Sequence, residues 1–211
     1  MTEQHVLHSE KIGNTLVKNL RNRHFDAYYC ATKEQALEKA LSLIPAGSTI
    51  GWGGAASAQE IGLLDAVRQG DYIPYDRDKY PAEKRMEILT QCTTADVFIT
   101  GANALSVSGE MVNIDGIGNR VAAISFGPKS VIVIAGINKV CADLESAIKR
   151  ARTVAAPINH QRFGGETPCM ITGVCGDCKR EDCICNQILI SRHCRPVGRI
   201  KFIIVGQNLG F

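Results

Sequence analysis

The stretch Val131-Ile132-Val133-Ile134-Ala135-Gly136-Ile137 decides the fold. A strand with one wet face alternates apolar and polar residues. An unbroken apolar run too short for a helix marks instead a strand buried on both faces, the kind found in parallel sheets. Asp96-Val97-Phe98-Ile99-Thr100 is a second run of this type. Working outward, strands alternate with helices. Ile12, Leu16, Val17 and Leu20 mark an amphipathic first helix, and Asp26 to Cys30 reads as a short strand. Thr32-Lys33-Glu34-Gln35 is a capping box opening a helix with Ala36, Leu37, Ala40, Leu41 and Ile44 on one face, stopped by Pro45 and Gly47. A strand Ser48 to Trp52, a helix from about Ser57 to Gln69, a strand Tyr72 to Tyr75 and a helix from about Pro81 to Cys92 follow.

After Thr100 the period changes to two. Leu105, Val107, Met111, Val112 and Ile114 flank Ser108-Gly109, which predicts a hairpin. Beyond Ile137, Val140, Leu144, Ala147, Ile148 and Ala151 recur at helical spacing, and Ile200 to Val205 supplies a closing strand. The pattern predicts an α/β sheet covered on both faces with an antiparallel hairpin inserted. Residues 1–24 form an N-terminal helix, 25–160 the α/β core, 161–199 a Cys-rich excursion and 200–211 the closing strand of the core.

The chain has 211 residues, 45% hydrophobic and 21% charged, with a formal charge of +3, the profile of a globular protein of one domain with an appendage. Its basic residues are scattered, which argues against nucleic acid, and no run reaches the roughly 18 apolar residues of a membrane span. The N-terminus lacks a basic start, an apolar run and a cleavage site, so a cytoplasmic location is expected.

Four segments carry candidate chemistry. Gly53, Gly54 and Ser57 lie between a strand and a helix, where glycines let a ligand approach the backbone. The spacing fits neither a dinucleotide fingerprint nor a Walker loop, and a plain turn with Ser57 as helix cap is the competing reading. Thr100, Gly101 and Asn103 follow one buried strand and Asn138-Lys139 the next, at the edge where open α/β sheets place ligands. Between them runs Asn113-Ile114-Asp115-Gly116-Ile117-Gly118-Asn119-Arg120. Converged, these segments offer an acid (Asp115), two cations (Arg120, Lys139) and amides (Asn103, Asn113, Asn119), suited to a small carboxylate or phosphate. Asp115 or Glu110 is the candidate acid/base or nucleophile, and Lys139 the anion-holding cation.

Six of the nine cysteines fall in Cys169-x5-Cys175-x2-Cys178-x4-Cys183-x-Cys185-x8-Cys194. Four thiolates on short loops can converge on one zinc or one iron–sulfur cluster, and spacing does not choose between them. His193 is the one histidine placed in sequence to join such a site, while Cys30, Cys92 and Cys141 read as ordinary core or helix thiols.

Thr100-Gly101-Ala102-Asn103-Ala104, Asn113 to Arg120, Phe126-Gly127-Pro128-Lys129, Ala135 to Lys139 and Val205 to Phe211 resemble the lactate utilisation (LUD) domain family, from about residue 8 to the carboxyl terminus. The resemblance is to members with a Thr-Pro-Cys…Cys-x2-Cys…Ile-Cys-Asn tail. It implies a Rossmann-like three-layer sheet similar to the sugar-phosphate isomerase and CoA-transferase group. It also implies a role in oxidation of L-lactate or a related 2-hydroxy acid beside iron–sulfur electron-transfer partners. Carried over by motif, the metal ligands are Cys169, Cys175, Cys178 and Cys185; Cys183 stands where arginine is expected, so it and Cys194 are extra thiols. Two rival readings are an isomerase or acyl-CoA transferase-like enzyme, and a non-catalytic binding protein clipped by structural zinc.

Overall fold

The computed structural model describes residues 2–211. Six parallel strands make the main sheet: β1 (Asp26–Cys30), β2 (Thr49–Gly53), β3 (Ile73–Tyr75), β4 (Val97–Gly101), β7 (Ser130–Gly136) and β10 (Ile200–Val205). Their order is β1-β10-β7-β4-β2-β3, so the closing strand is wedged between β1 and β7 rather than added at an edge. Along β7, Val131, Val133 and Ala135 pack into one core layer with Leu16 and Leu20 of α1 (Glu3–Asn22). Ile132 and Ile134 pack into the other, with Ala36 and Ala40 of α2 (Lys33–Ser42). A period-two strand buried on both sides thus separates two helical layers, a Rossmann-like three-layer α/β fold. No helix among the described residues is long and apolar enough to cross a membrane.

Several elements depart from the sequence expectation. The helix expected over 57–69 is two, α3 (Ala56–Glu60) and α4 (Leu63–Gln69), broken at Gly62, whose φ of +80° no helix accommodates. The one expected from Pro81 begins as a 3₁₀ turn, Ala82–Lys84, before α5 (Arg85–Cys92). Val140 belongs to no helix: β8 (Val140–Cys141) pairs in parallel with β5 (Ala104–Ser106), and α7 (Leu144–Arg150) starts only after Asp143, whose carboxylate accepts from Ser146 N at 2.7 Å. From α7 the chain runs through a π-helical turn, Ala151–Ala155, into α8 (Ala156–His160).

The hairpin of β5 and β6 (Met111–Asp115) is the centre of a second sheet, ordered β8-β5-β6-β9. Its outer strand β9 (Gln187–Ser191) comes from within the Cys-rich segment, which also contains the short helix α9 (Pro168–Thr172). That segment is therefore stitched to β6 by five residue pairs from Met111–Ser191 to Asp115–Gln187.

Candidate functional site

The carboxyl ends of β2, β4 and β7 are neighbours in the main sheet, so the turns that follow them open onto one place. The loop from β6 into α6 (Asn119–Ser125) covers it from the second sheet. A cleft of about 460 Å³ results, lined by Gly53, Gly54, Asn103, Asp115, Gly116, Asn119, Arg120 and Lys139 among the residues named from sequence.

Arg120 and Lys139 are buried, at 7% and 4% exposure. The Arg120 Nη2 donates to Asn103 Oδ1 at 3.0 Å and to Ile114 O, while its Nε is buried without a hydrogen-bond partner. Asp115 anchors this loop: its Oδ2 accepts the backbone N–H of Arg120 at 2.9 Å and of Val121 at 3.3 Å, and Oδ1 lies 3.8 Å from Arg120 Nε. Only glycine fits at 54, since it sits at φ +58° and a Cβ there would come within 2.5 Å of Arg120 Nη1. Lys139 Nζ makes one hydrogen bond, to Ser57 Oγ at 3.1 Å. Burial, with the nearby Arg150 and Arg120 charges and against the attraction of Glu60, pushes this ammonium down to about 8. Two cations with spare donors, out of water and beside a cavity, make a floor to which an anion would bring the missing acceptors.

Other residues named from sequence hold the floor rather than line it. Ser57 is fully buried as the Lys139 partner and caps no helix. Thr100 Oγ1 donates to Gly53 O at 2.8 Å, and Gly101 N donates to Gly54 O at 3.2 Å. Asn113 Oδ1 accepts from Asn103 N at 3.3 Å, with its buried Nδ2 unpartnered. Asn138 Oδ1 accepts from Leu209 N at 3.0 Å and so ties down the C-terminal residues, including Phe211 at the cleft wall. Glu110 is elsewhere: at the hairpin turn it pairs with Arg23 and accepts from Ser106 and Ser108, so it is no acid/base for this cleft. The sequence reading missed Arg77, Arg85, Arg162 and Phe163, which line the cleft, and Arg150, whose guanidinium reaches Asn103 O at 2.6 Å and Asn138 O at 3.1 Å.

A second, smaller cavity of about 230 Å³ is lined by Cys169, Cys175, Cys178, Cys183 and Cys185. Burial, followed by the neighbouring Cys183 and Cys175, pushes the Cys185 thiol up to about 12. Such a group of thiols cannot ionise together without a positive counter-charge, the condition a soft metal centre meets. The donor chemistry therefore fits zinc or an iron–sulfur cluster. Among the described residues no three His, Cys, Asp or Glu side chains are grouped tightly enough to hold a metal ion as they stand. The histidine at these thiols is His160, not His193: its Nδ1 lies 3.5 Å from Cys169 Sγ and 3.1 Å from Thr167 Oγ1, whereas His193 packs edge-on against His24. Cys194 is also elsewhere, 2% exposed in the core beside Phe25 and Phe202.

The model of the LUD domain family matches residues 14–205. The chain belongs to the LUD domain family. Among solved structures it is similar to a DUF162 family protein from Deinococcus radiodurans, with a TM-score of 0.54 and 14% identity over 93% of this chain and 97% of that one, which speaks for the fold alone. Weaker similarity, TM-score 0.34 and 16% identity over 65% of this chain and 57% of the other, extends to eIF2B delta from Chaetomium thermophilum and carries no argument. No curated protein matches the sequence.

In this LUD domain the two cavities share a wall. Asn159 and Ile184 face the cationic cleft, while their chain neighbours His160 and Cys185 face the thiol cavity.

Proposed function

We propose that this LUD-domain protein is a component of L-lactate or related 2-hydroxy acid utilisation that binds a small anionic ligand in the cleft and carries a Cys-ligated metal centre, an iron–sulfur cluster, behind it. The shared wall carries the reading: Asn159 and Ile184 line the cationic cleft where their chain neighbours His160 and Cys185 line the thiol cavity. Lys139 and Arg120 hold the ligand carboxylate, and Asp115 keeps the Arg120 loop in place. Cys169, Cys175, Cys178 and Cys185 would hold the cluster, with Cys183 as a fifth thiol lining the same space. When bound, such a cluster supplies one-electron redox chemistry and an exit for electrons to an iron–sulfur partner. The chain itself binds the anion, orients it and keeps water from its charged end.

Anaerobic purification followed by a visible spectrum, metal analysis and calorimetric titration of lactate and pyruvate tests this. A broad thiolate-to-iron absorption together with anion binding that weakens in Lys139→Ala is expected. Colourless protein with stoichiometric zinc would make the cysteines a structural clip. Absence of any metal would leave an isomerase or acyl-CoA transferase-like role for the cleft.

A further inference from the structure

The cleft is built for more charge and more volume than a three-carbon acid supplies. Five cationic side chains line it against two carboxylates. The carboxylates are already engaged, Asp115 near Arg120 and Asp78 at 3.9 Å from Arg77. Lys139, Arg85 and Arg162 make no ion pair among the described residues. The cations also differ in depth: Lys139 and Arg120 are buried, whereas Arg77 is half-buried and Arg85 and Arg162 are exposed. Between these depths Leu89, Phe163 and Phe211 contribute apolar wall. At about 460 Å³ the space falls in the range, roughly 300–1,000 Å³, that encloses drug-sized ligands.

A single small anion would satisfy the floor and leave Arg85 and Arg162 without an anionic partner. We propose that the cleft takes one molecule with two separated anionic groups, a carboxylate on the Lys139–Arg120 floor and a phosphoryl group among Arg77, Arg85 and Arg162: a phosphorylated 2-hydroxy or 2-oxo acid. This rests on the anion-binding floor of the proposed function and is independent of the metal centre. Arginine suits the outer role, because its planar fork matches phosphoryl oxygens bidentately.

Calorimetric titration of the full chain with gluconate, inorganic phosphate and 6-phosphogluconate, all at one low ionic strength, tests it. The first and last share a 2-hydroxy acid head and differ in the distal phosphoryl group. The double variant Arg85→Gln/Arg162→Gln changes only exposed side chains and is read beside the wild type. The expected result is 6-phosphogluconate binding at least about tenfold tighter than gluconate or phosphate, with that gain lost in the double variant and gluconate affinity falling by a much smaller factor than 6-phosphogluconate affinity. Equal affinity for gluconate and 6-phosphogluconate, or a gain that survives both substitutions, overturns the proposal and leaves the anion floor standing. Failure of all three probes to bind removes the floor and the proposal together.

Discussion

The cationic cleft and the thiol cavity lie back to back, yet they are held in opposite ways. The two buried cations of the cleft floor sit at element ends, Lys139 after the parallel strand β7 and Arg120 in the first turn of α6, and each is fixed by neighbours: Arg120 by Asn103, Ile114 and Asp115, Lys139 by Ser57. Cys169 sits in the short helix α9 and the other four thiols on the irregular segment between α9 and β9 where few backbone hydrogen bonds recur, and their closest fixed contacts are Cys169 with Thr167 and His160, and Cys185 N with Cys183 Sγ at 3.4 Å. One site is formed by the fold before any ligand arrives. On the proposed reading the other would take its final shape from the metal it binds, as small cysteine-rich metal sites do.

The sharpest way to break this contrast is to remove single thiols. Cys175→Ser or Cys185→Ser should abolish metal content and any thiolate absorption, measured by elemental analysis and visible spectrum, because a hydroxyl does not replace a thiolate toward a soft metal. The same variants should keep the anion affinity of the cleft. If metal content is unchanged, the five thiols are not its ligands. If anion binding falls as well, the cleft is not preformed and the contrast fails.

A smaller effect is expected at the cleft floor. Lys139→Met should weaken gluconate binding about tenfold to a hundredfold, the loss of one charge-assisted contact of roughly 1.5–3 kcal/mol. The same substitution should raise the midpoint of chemical denaturation, because methionine fills the space without the cost of a buried ammonium. Opposite changes in binding and stability are the mark of a preformed binding group. A loss of both would make Lys139 a structural residue.

The difference between the two regions also explains what could be read from sequence. Runs such as Val131 to Ala135 announce themselves because both faces are buried, and the turns after them inherit a position from the sheet. Hence Gly53, Asn103, Asp115 and Lys139 were legible as neighbours. Arg85 and Arg162 were not, since an exposed arginine in a helix or at its end has no local signature distinguishing it from a solvated one. Arg150 was hidden for a related reason, reading as an ordinary cation in the last turn of a helix while its guanidinium braces three segments through Asn103 O, Asn138 O and Phe211 O. Val140 misled because two residues of strand beside a helix happen to continue the helix's apolar spacing. His160 lies nine residues before Cys169 on a different element, so only the fold could bring them together.

pH offers a finer probe of the floor. Lys139 holds its proton less tightly in the folded protein, about 8, than the ordinary 10.5, so between those values the unfolded chain carries more protons. Stability from this group should therefore rise as pH climbs from about 8 to 10.5, since it is the charged form that burial penalises. Anion affinity should move the other way, falling by up to about tenfold per pH unit above 8, because the neutral amine no longer attracts the ligand. Titrations of gluconate and urea melts across this window should show both trends, and Lys139→Met should flatten them. Parallel slopes in the wild type would assign the titration to another group.

The smallest effect is expected at the cysteine that the fold sets apart. Cys194 belongs in sequence to the thiol run, but its Sγ donates to Pro196 O at 3.1 Å and accepts from Ile200 N at 3.3 Å. It packs with Phe25 and Phe202 under the main sheet. Replacing it with serine keeps a donor and an acceptor in place and exchanges a soft apolar atom for a smaller polar one, which costs roughly 1 kcal/mol in a core. Cys194→Ser should therefore lower the denaturation midpoint slightly, leave metal content equal to wild type and leave gluconate affinity unchanged. Measured beside Cys185→Ser, it separates a cysteine that is a packing atom of the sheet from one proposed as a ligand. Loss of metal in Cys194→Ser would mean that the core and the thiol cavity form one cooperative unit, and the division between a preformed and a ligand-shaped site would have to be redrawn at β9.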